Sequence, residues 1–272
     1  MRRKLSVLLA LSVLFVSLGA CKVDAATKVK EVNLSVEVGK TITFKDLKQA
    51  KVKGNIKVSN TSKGLQLKGT KEGVSTFTAK NKKYNIVTLN SVKGIKFDKV
   101  TVKKTSGVFY VVRKFNTDAI VTVLNTNNYD ADVTYTRKEF KEKNVFFEKR
   151  DQKVTALGKN ETFSFFSYES MPIYKDSITV KKSKYHSLDS KDVKLITSIN
   201  TAQNMSCVTI NNNTNKTIYV DGLILKYGKS GNMIATDIMN DVKVDKTYDF
   251  FSRNYTTDIK DMNLSDYHLY VK

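Results

Sequence analysis

The chain has 272 residues, of which 40% are apolar and 10% aromatic, and carries a formal charge of +21 from 47 basic and 26 acidic side chains. That apolar content supports a folded body and excludes a chain disordered throughout; at roughly 150 residues per domain the length admits one large domain or two to three small ones. One proline and no tryptophan exclude collagen-like and proline-rich spacers, and two cysteines can build neither a disulfide framework nor a four-thiolate zinc site.

Arg2, Arg3 and Lys4 precede an uncharged apolar run over residues 5–18, which closes on Gly19, Ala20 and Cys21. This is the pattern of a secretory signal. The 14-residue run rises about 21 Å as a helix, short of the roughly 30 Å hydrocarbon core of a bilayer, and so is too short for a permanent span. Leu18-Gly19-Ala20-Cys21 resembles the lipobox of bacterial lipoproteins. The resemblance implies removal of residues 1–20 and diacylglycerol on the Cys21 sulfur, holding the chain on the extracellular face of the cell membrane. Ordinary secretion with cleavage after Ala25 is the alternative, since Val23 and Ala25 also meet the small-residue rule. With Cys21 acylated, Cys207 has no partner, and its setting within residues 205–210 predicts a small buried strand residue.

After a tether over residues 21–29, Val32, Leu34, Val36 and Val38 alternate with polar residues, and Ile42 and Phe44 resume the pattern beyond Gly39-Lys40. Period two predicts strands. More short strands are expected at Ile56 and Val58, at Leu65 and Leu67, over 74–79 and over 84–89, with Gly54, Gly64, Gly69-Thr70, Gly73 and Asn81 between them. Such a series predicts a β-sandwich over residues 30–93. Leu34-Ser35-Val36-Glu37-Val38-Gly39-Lys40 and Lys71-Glu72-Gly73-Val74-Ser75-Thr76-Phe77-Thr78-Ala79 resemble the opening and closing stretches of bacterial immunoglobulin-like (Big) domains of surface proteins.

A diverged repeat fills the rest. Val121-Thr122-Val123-Leu124-Asn125 lines up with Val208-Thr209-Ile210-Asn211-Asn212, Phe165-Phe166-Ser167 with Phe250-Phe251-Ser252, and Val180-Lys181 with Val271-Lys272, at offsets of 87, 85 and 91. Each copy adds β-type segments, such as residues 132–140 and 219–227. Val208-Thr209-Ile210-Asn211-Asn212, Val220-Asp221-Gly222-Leu223-Ile224-Leu225-Lys226-Tyr227, Gly231-Asn232 and the closing Tyr267-His268-Leu269-Tyr270-Val271-Lys272 resemble FxLYD-like domains of Gram-positive envelope proteins. The resemblance implies a small extracellular β-sandwich that binds or spaces without catalysis. The expected order is a sandwich over 94–181, a polar connector over 182–204 and a second copy over 205–272. The fold class is therefore all-β, tandem small Ig-like β-sandwich modules behind a cleaved signal peptide.

Charge is concentrated in the first module: residues 21–93 hold 16 basic against 5 acidic side chains, residues 94–181 hold 16 against 11, and residues 182–272 hold 12 against 10. Lys40, Lys45, Lys48, Lys51, Lys53, Lys57, Lys63, Lys68, Lys80, Lys82 and Lys83 are the candidate polyanion-binding residues. Outside a Gram-positive cell the partner would be teichoic acid or another wall polyanion, held by screened Coulomb attraction. The alternative is a merely solvated surface: 41 of the basic residues are Lys and 6 are Arg, whereas bidentate phosphate recognition favours Arg. An envelope or host protein is a further candidate partner. The export signal argues against cytoplasmic nucleic acid, and no helix-turn-helix, zinc-finger or RNP pattern is present.

The catalytic inventory is thin. His186 and His268 lack metal-ligand spacing and read as solvated or edge residues. Gly228-Lys229-Ser230 ends like a phosphate-binding loop, but Gly222 is misplaced and no helix follows, which predicts a hairpin turn. Asp237, Asp241 and Asp245 lack the glycine and terminal glutamate of an EF-hand. The sequence points to no metal and no cofactor. Tyr110, Phe115, Phe146, Phe147, Phe163, Phe165, Phe166, Phe250 and Phe251 could line a groove, though core packing explains them more simply. The leading expectation is a lipid-anchored, non-catalytic binding or spacer protein. The rivals are an exported cell-wall hydrolase working through paired carboxylates, and a freely secreted adhesin.

Overall fold

A computed structural model describes residues 29–168, 171, 173–189, 191–254 and 258–272. The signal segment, Cys21 and most of the tether lie outside these residues. The described chain is all-β, with twenty strands in six small sheets and no helix among the described residues.

The first sandwich packs a sheet of β1 (Lys30–Glu37), β6 (Lys82–Leu89) and β5 (Gly73–Ala79) on a sheet of β2 (Thr41–Phe44), β4 (Gly64–Gly69) and β3 (Ile56–Thr61). Alternation in β4 turns Leu65 and Leu67 into the core and leaves Lys68 outside. Val36, Leu47, Phe77 and Ile86 complete the core, where Phe77 stacks on Tyr84 at 4.6 Å and Phe44 meets both edge-on. β1 and β6 run parallel, in register from Lys30↔Lys82 to Glu37↔Leu89. Gly64, at φ +117°, opens β4 where a Cβ would lie 2.3 Å from the Phe44 carbonyl oxygen, so only glycine fits.

The second sandwich faces the sheet β12 (Thr162–Tyr168), β9 (Asp118–Asn125), β8 (Val108–Phe115), β7 (Lys99–Thr105) against β11 (Val145–Leu157), β10 (Ala131–Glu142), β13 (Ile173–Lys182). The third faces β15 (Val193–Asn200), β16 (Met205–Asn212), β19 (Thr247–Arg253) against β14 (His186–Ser187), β20 (Ile259–Val271), β17 (Ile218–Gly228), β18 (Met233–Val244). The internal repeat is visible in the registers: Val121↔Phe165 corresponds to Val208↔Phe250, and Ala131↔Leu157 to Ile218↔Val244. Asn125 and Asn212 do the same work in each copy. The Asn125 amide donates to Tyr129 O and Leu157 O and its oxygen accepts from Asn127 N; the Asn212 amide donates to Lys216 O and Val244 O and its oxygen accepts from Thr214 N. One side chain thus closes the asparagine-rich turn and ties it to the facing sheet. In the closing strand the match needs correction: Val180 opposes Val133 as Leu269 opposes Val220, so Val180 corresponds to Leu269 rather than Val271.

The sheet containing β9 is covered on both faces. Val121 and Val123 point into their own sandwich. On the other face Leu124, with Phe109 and Val111, meets Val87 and Leu89 of the first sandwich, while Ile120, with Phe115 and Phe166, meets Leu223, Leu225 and Tyr227 of the third. Two apolar seams therefore join the three modules side to side.

Several expectations are corrected. Residues 182–204 are not a connector: β14 pairs with β20 and β15 pairs with β16 along its whole length, inside the third sandwich. Polarity misled because β15 is an edge strand with one wet face. Cys207 is half-buried on the outer side of β16 rather than in the core. His268 is buried, 5% exposed, because the second sandwich covers it. Phe163 and Phe165 are core, but Phe146, Phe147 and Phe251 are exposed. Gly228 does end β17 at a tight turn into β18.

Candidate functional site

The eleven candidate lysines ring the first sandwich. Lys57 on β3 sits directly opposite Lys68 on β4, on the outer face of that sheet. Lys51 and Lys53 run along the edge of β5, where Lys53 exchanges backbone hydrogen bonds with Thr76, and together with Lys83 they line a shallow recess of about 370 Å³. Lys80 and Lys82 flank the β5–β6 turn and Lys63 the β3–β4 turn; Lys40, Lys45 and Lys48 lie in the connections around β2. Ten of the eleven are exposed. Among the described residues only Lys83 of this set makes an ion pair, at 3.3 Å to Glu31. The geometry thus gathers two small groups, Lys51/Lys53/Lys83 and Lys57/Lys68, and spreads the others around the module. Cys21 lies outside the described residues.

A different concentration of titratable groups lies where the three sandwiches meet, and sequence order concealed it. A recess of about 340 Å³ is lined by Lys71 and Glu72 of the first, Asn160, Glu161 and Thr162 of the second, and Asp189, Asp266 and His268 of the third. Glu72 accepts from Asn90 N at 2.9 Å and from Thr162 Oγ1 at 3.4 Å. Glu161 accepts from Gly158 N and from Ser187 Oγ, and lies 3.4 Å from His268 Nδ1. His268 Nε2 donates to Ala156 O at 3.1 Å, and burial pulls the imidazole pKa down, opposed by the Glu161 charge. Burial pushes the Asp266 carboxyl up to about 7, opposed by a Ser164 hydrogen bond and reinforced by the Glu72 charge. Nearby, Asp221 of the third sandwich accepts from Thr155 N of the second at 2.9 Å and from Asp241 N at 2.7 Å, and burial pushes it up to about 6. These hydrogen bonds fasten modules together. Asp237, Asp241 and Asp245 go to separate partners, Lys226, Lys272 and Thr217.

Each repeat also buries a cation against the serine that follows its paired phenylalanines. Arg137 of β10 donates to Ser167 Oγ, with Glu139 and Asp176 at 3.4 and 3.8 Å. Lys226 of β17 donates to Ser252 Oγ at 2.7 Å and Asn254 Oδ1 at 2.8 Å, and pairs with Asp237 at 2.6 Å. Arg137, which opens the charged run Arg137-Lys138-Glu139, and Lys226, set between Leu225 and Tyr227, were the available signal. Arg137, Arg150, Ser167 and Asp237 line a cleft of about 280 Å³ between the two repeats.

No family model and no curated protein matches the chain.

Proposed function

We propose that the chain is a lipid-anchored extracellular envelope protein that binds or spaces without catalysis, with the lysine-rich first sandwich contacting anionic wall polymer. The anchor rests on Leu18-Gly19-Ala20-Cys21 and the signal before it; two or more acyl chains hold a protein firmly where one does not. The likeness of residues 30–93 to Big domains and of the repeats to FxLYD-like domains supports binding over chemistry. The observation that carries the polymer contact is the uncompensated charge: ten exposed lysines on one small module with one ion pair among the eleven. A flexible polyphosphate meets such a surface by many screened contacts and displaces its counterions, so binding should weaken steeply with salt.

The test is sedimentation of residues 29–272 with purified walls, with and without teichoic acid, across a salt series. A Lys51→Gln/Lys53→Gln/Lys57→Gln/Lys68→Gln variant replaces removal of the module, because Val87 and Leu89 belong to a seam that removal would expose. Retention that needs the polyanion, and falls about tenfold in the variant, supports the reading. No retention at low salt overturns it.

The second reading, an exported hydrolase, is favoured by one observation: Glu72, Glu161 and Asp266 line one recess, and burial raises Asp266 toward the range of a general acid. Release of wall fragments by the native chain but not by Asp266→Asn would establish it; equal inactivity of both dismisses it.

A further inference from the structure

Where β1 of the first sandwich meets β7 and β8 of the second, a recess of about 390 Å³ opens that wall binding does not use. Val36, Leu89, Ile95, Phe97 and Val100 give it apolar walls, and Arg113 of β8, only 4% exposed, lines it among them. Val100 is the register partner of Arg113, so both side chains stand on the same face of the sheet. A guanidinium is always charged, and one taken out of water normally sits against a carboxylate. The buried cations Arg137 and Lys226 follow that rule, with Glu139 and Asp176 beside the first and Asp237 beside the second. Arg113 does not. Its Nη1 donates to Asn90 O and its Nη2 to Thr122 Oγ1, both at 2.9 Å, and both acceptors are neutral. The Phe97 ring centre lies 4.8 Å from its central carbon. Among the described residues it forms no ion pair, and its buried Nε has no acceptor. Burial lowers its pKa, opposed by the charges of Glu37, Glu72 and Asp266 from beyond ion-pair distance.

The recess thus combines apolar walls with one buried positive charge that lacks a counterion. We propose that it binds an amphiphilic carboxylate, whose aliphatic tail packs on Val36, Leu89, Ile95, Phe97 and Val100 while its headgroup pairs with Arg113. Ligand recesses measure about 300–1,000 Å³, and a cavity of about 150 Å³ already admits benzene, so an alkyl chain of medium length fits. A planar guanidinium matches a carboxylate through parallel hydrogen bonds, and the unpartnered Nε is one of its donors. Lys96 adds a positive charge to the lining and Glu37 a negative one, so the balance with Arg113 favours an anion. A neutral tail would leave the guanidinium without a counterion, and a small inorganic anion would leave the apolar walls wet.

Every apolar cluster lies within residues 34–271, so a chain of residues 29–272 keeps all of those contacts and carries no acyl group to confuse the result. Equilibrium dialysis of that chain against radiolabelled octanoate should show retention, and octanol, with the same tail and no charge, should be held about tenfold more weakly. Arg113→Met should weaken octanoate about tenfold and bring the two ligands level. Val100→Asp leaves Arg113 in place and supplies a carboxylate directly opposite it from within the chain. That variant should lose octanoate retention while its Tm stays at or above that of the native chain, which separates loss of the site from loss of the fold. No retention at millimolar octanoate overturns the proposal. So does equal retention of octanol by the native chain, which would make the recess merely apolar, and so does octanoate retention that neither substitution changes. None of these results touches wall sedimentation through the lysines of the first sandwich.

Discussion

The apolar seam between the second and third sandwiches predicts that these two unfold as one cooperative body, and Leu225→Ala tests this most directly. Leu225 is fully buried between repeats, among Ile120, Phe115 and Phe166 of the second sandwich and Leu223 and Tyr227 of its own. Truncation removes the transfer free energy of the lost methyl groups and leaves a cavity that flanking strands from two modules can only partly fill. The expected loss is about 3 kcal/mol. In a chain of this size each kcal/mol moves Tm by roughly 2–4 °C, so calorimetry on residues 29–272 should show a fall of roughly 6–12 °C. Ile120→Ala removes bulk from the opposite wall of the same seam. If the modules are fused, both variants lower the same transition. If each variant lowers a different transition and leaves the other in place, the sandwiches unfold separately and the reasoning fails.

Three other outcomes follow from the polar junctions. Asp266→Asn should be nearly neutral below pH 4 and progressively stabilising as pH rises from 4 to 7. The native carboxyl, raised to about 7 from an ordinary value near 4, keeps its proton in the folded state and loses it in the unfolded one, so its contribution falls with pH. The roughly two units between pH 5 and the raised value correspond to about 3 kcal/mol at most, read as the change in the effect of the substitution on the urea midpoint between pH 5 and pH 8; an effect that does not vary with pH refutes the assignment. Asp237→Ala should cost about 3 kcal/mol because it strands the buried Lys226 ammonium, and Lys226→Met/Asp237→Leu should recover most of that; equal losses in both would show that the ion pair is not the cause. Asn212→Ala removes the donor to Lys216 O and Val244 O and should cost about 2 kcal/mol in chemical denaturation, with Asn125→Ala matching it in the second sandwich.

The sandwiches were legible in sequence because alternation maps directly onto pleat: Leu65, Leu67 and Lys68 occupy the faces that period two assigns them. The repeat was legible because Val121 and Val208 keep the same strand partners. The seams left a signal that alternation hides. Ala119 to Leu124 and Leu223 to Leu225 are unbroken runs of buried residues, the mark of strands covered on both faces. The junction recess was not legible, since Glu72, Glu161 and His268 come from three modules and only folding brings them together. The lysines of the first sandwich were visible as charge, but their division into two close groups depends on the β3–β4 register and the course of residues 51–53.

The parallel pairing of β1 with β6 determines how the chain carries tension. Force entering at residue 29 and leaving through Asn90 pulls β1 toward its N-terminal end and β6 toward its C-terminal end. Because the strands run the same way, that loading is longitudinal: the register from Lys30↔Lys82 to Glu37↔Leu89 is sheared as a unit instead of being peeled one bond at a time. Pulled along the chain, the first sandwich therefore resists as one sheared block, in which the whole β1–β6 register must give way together.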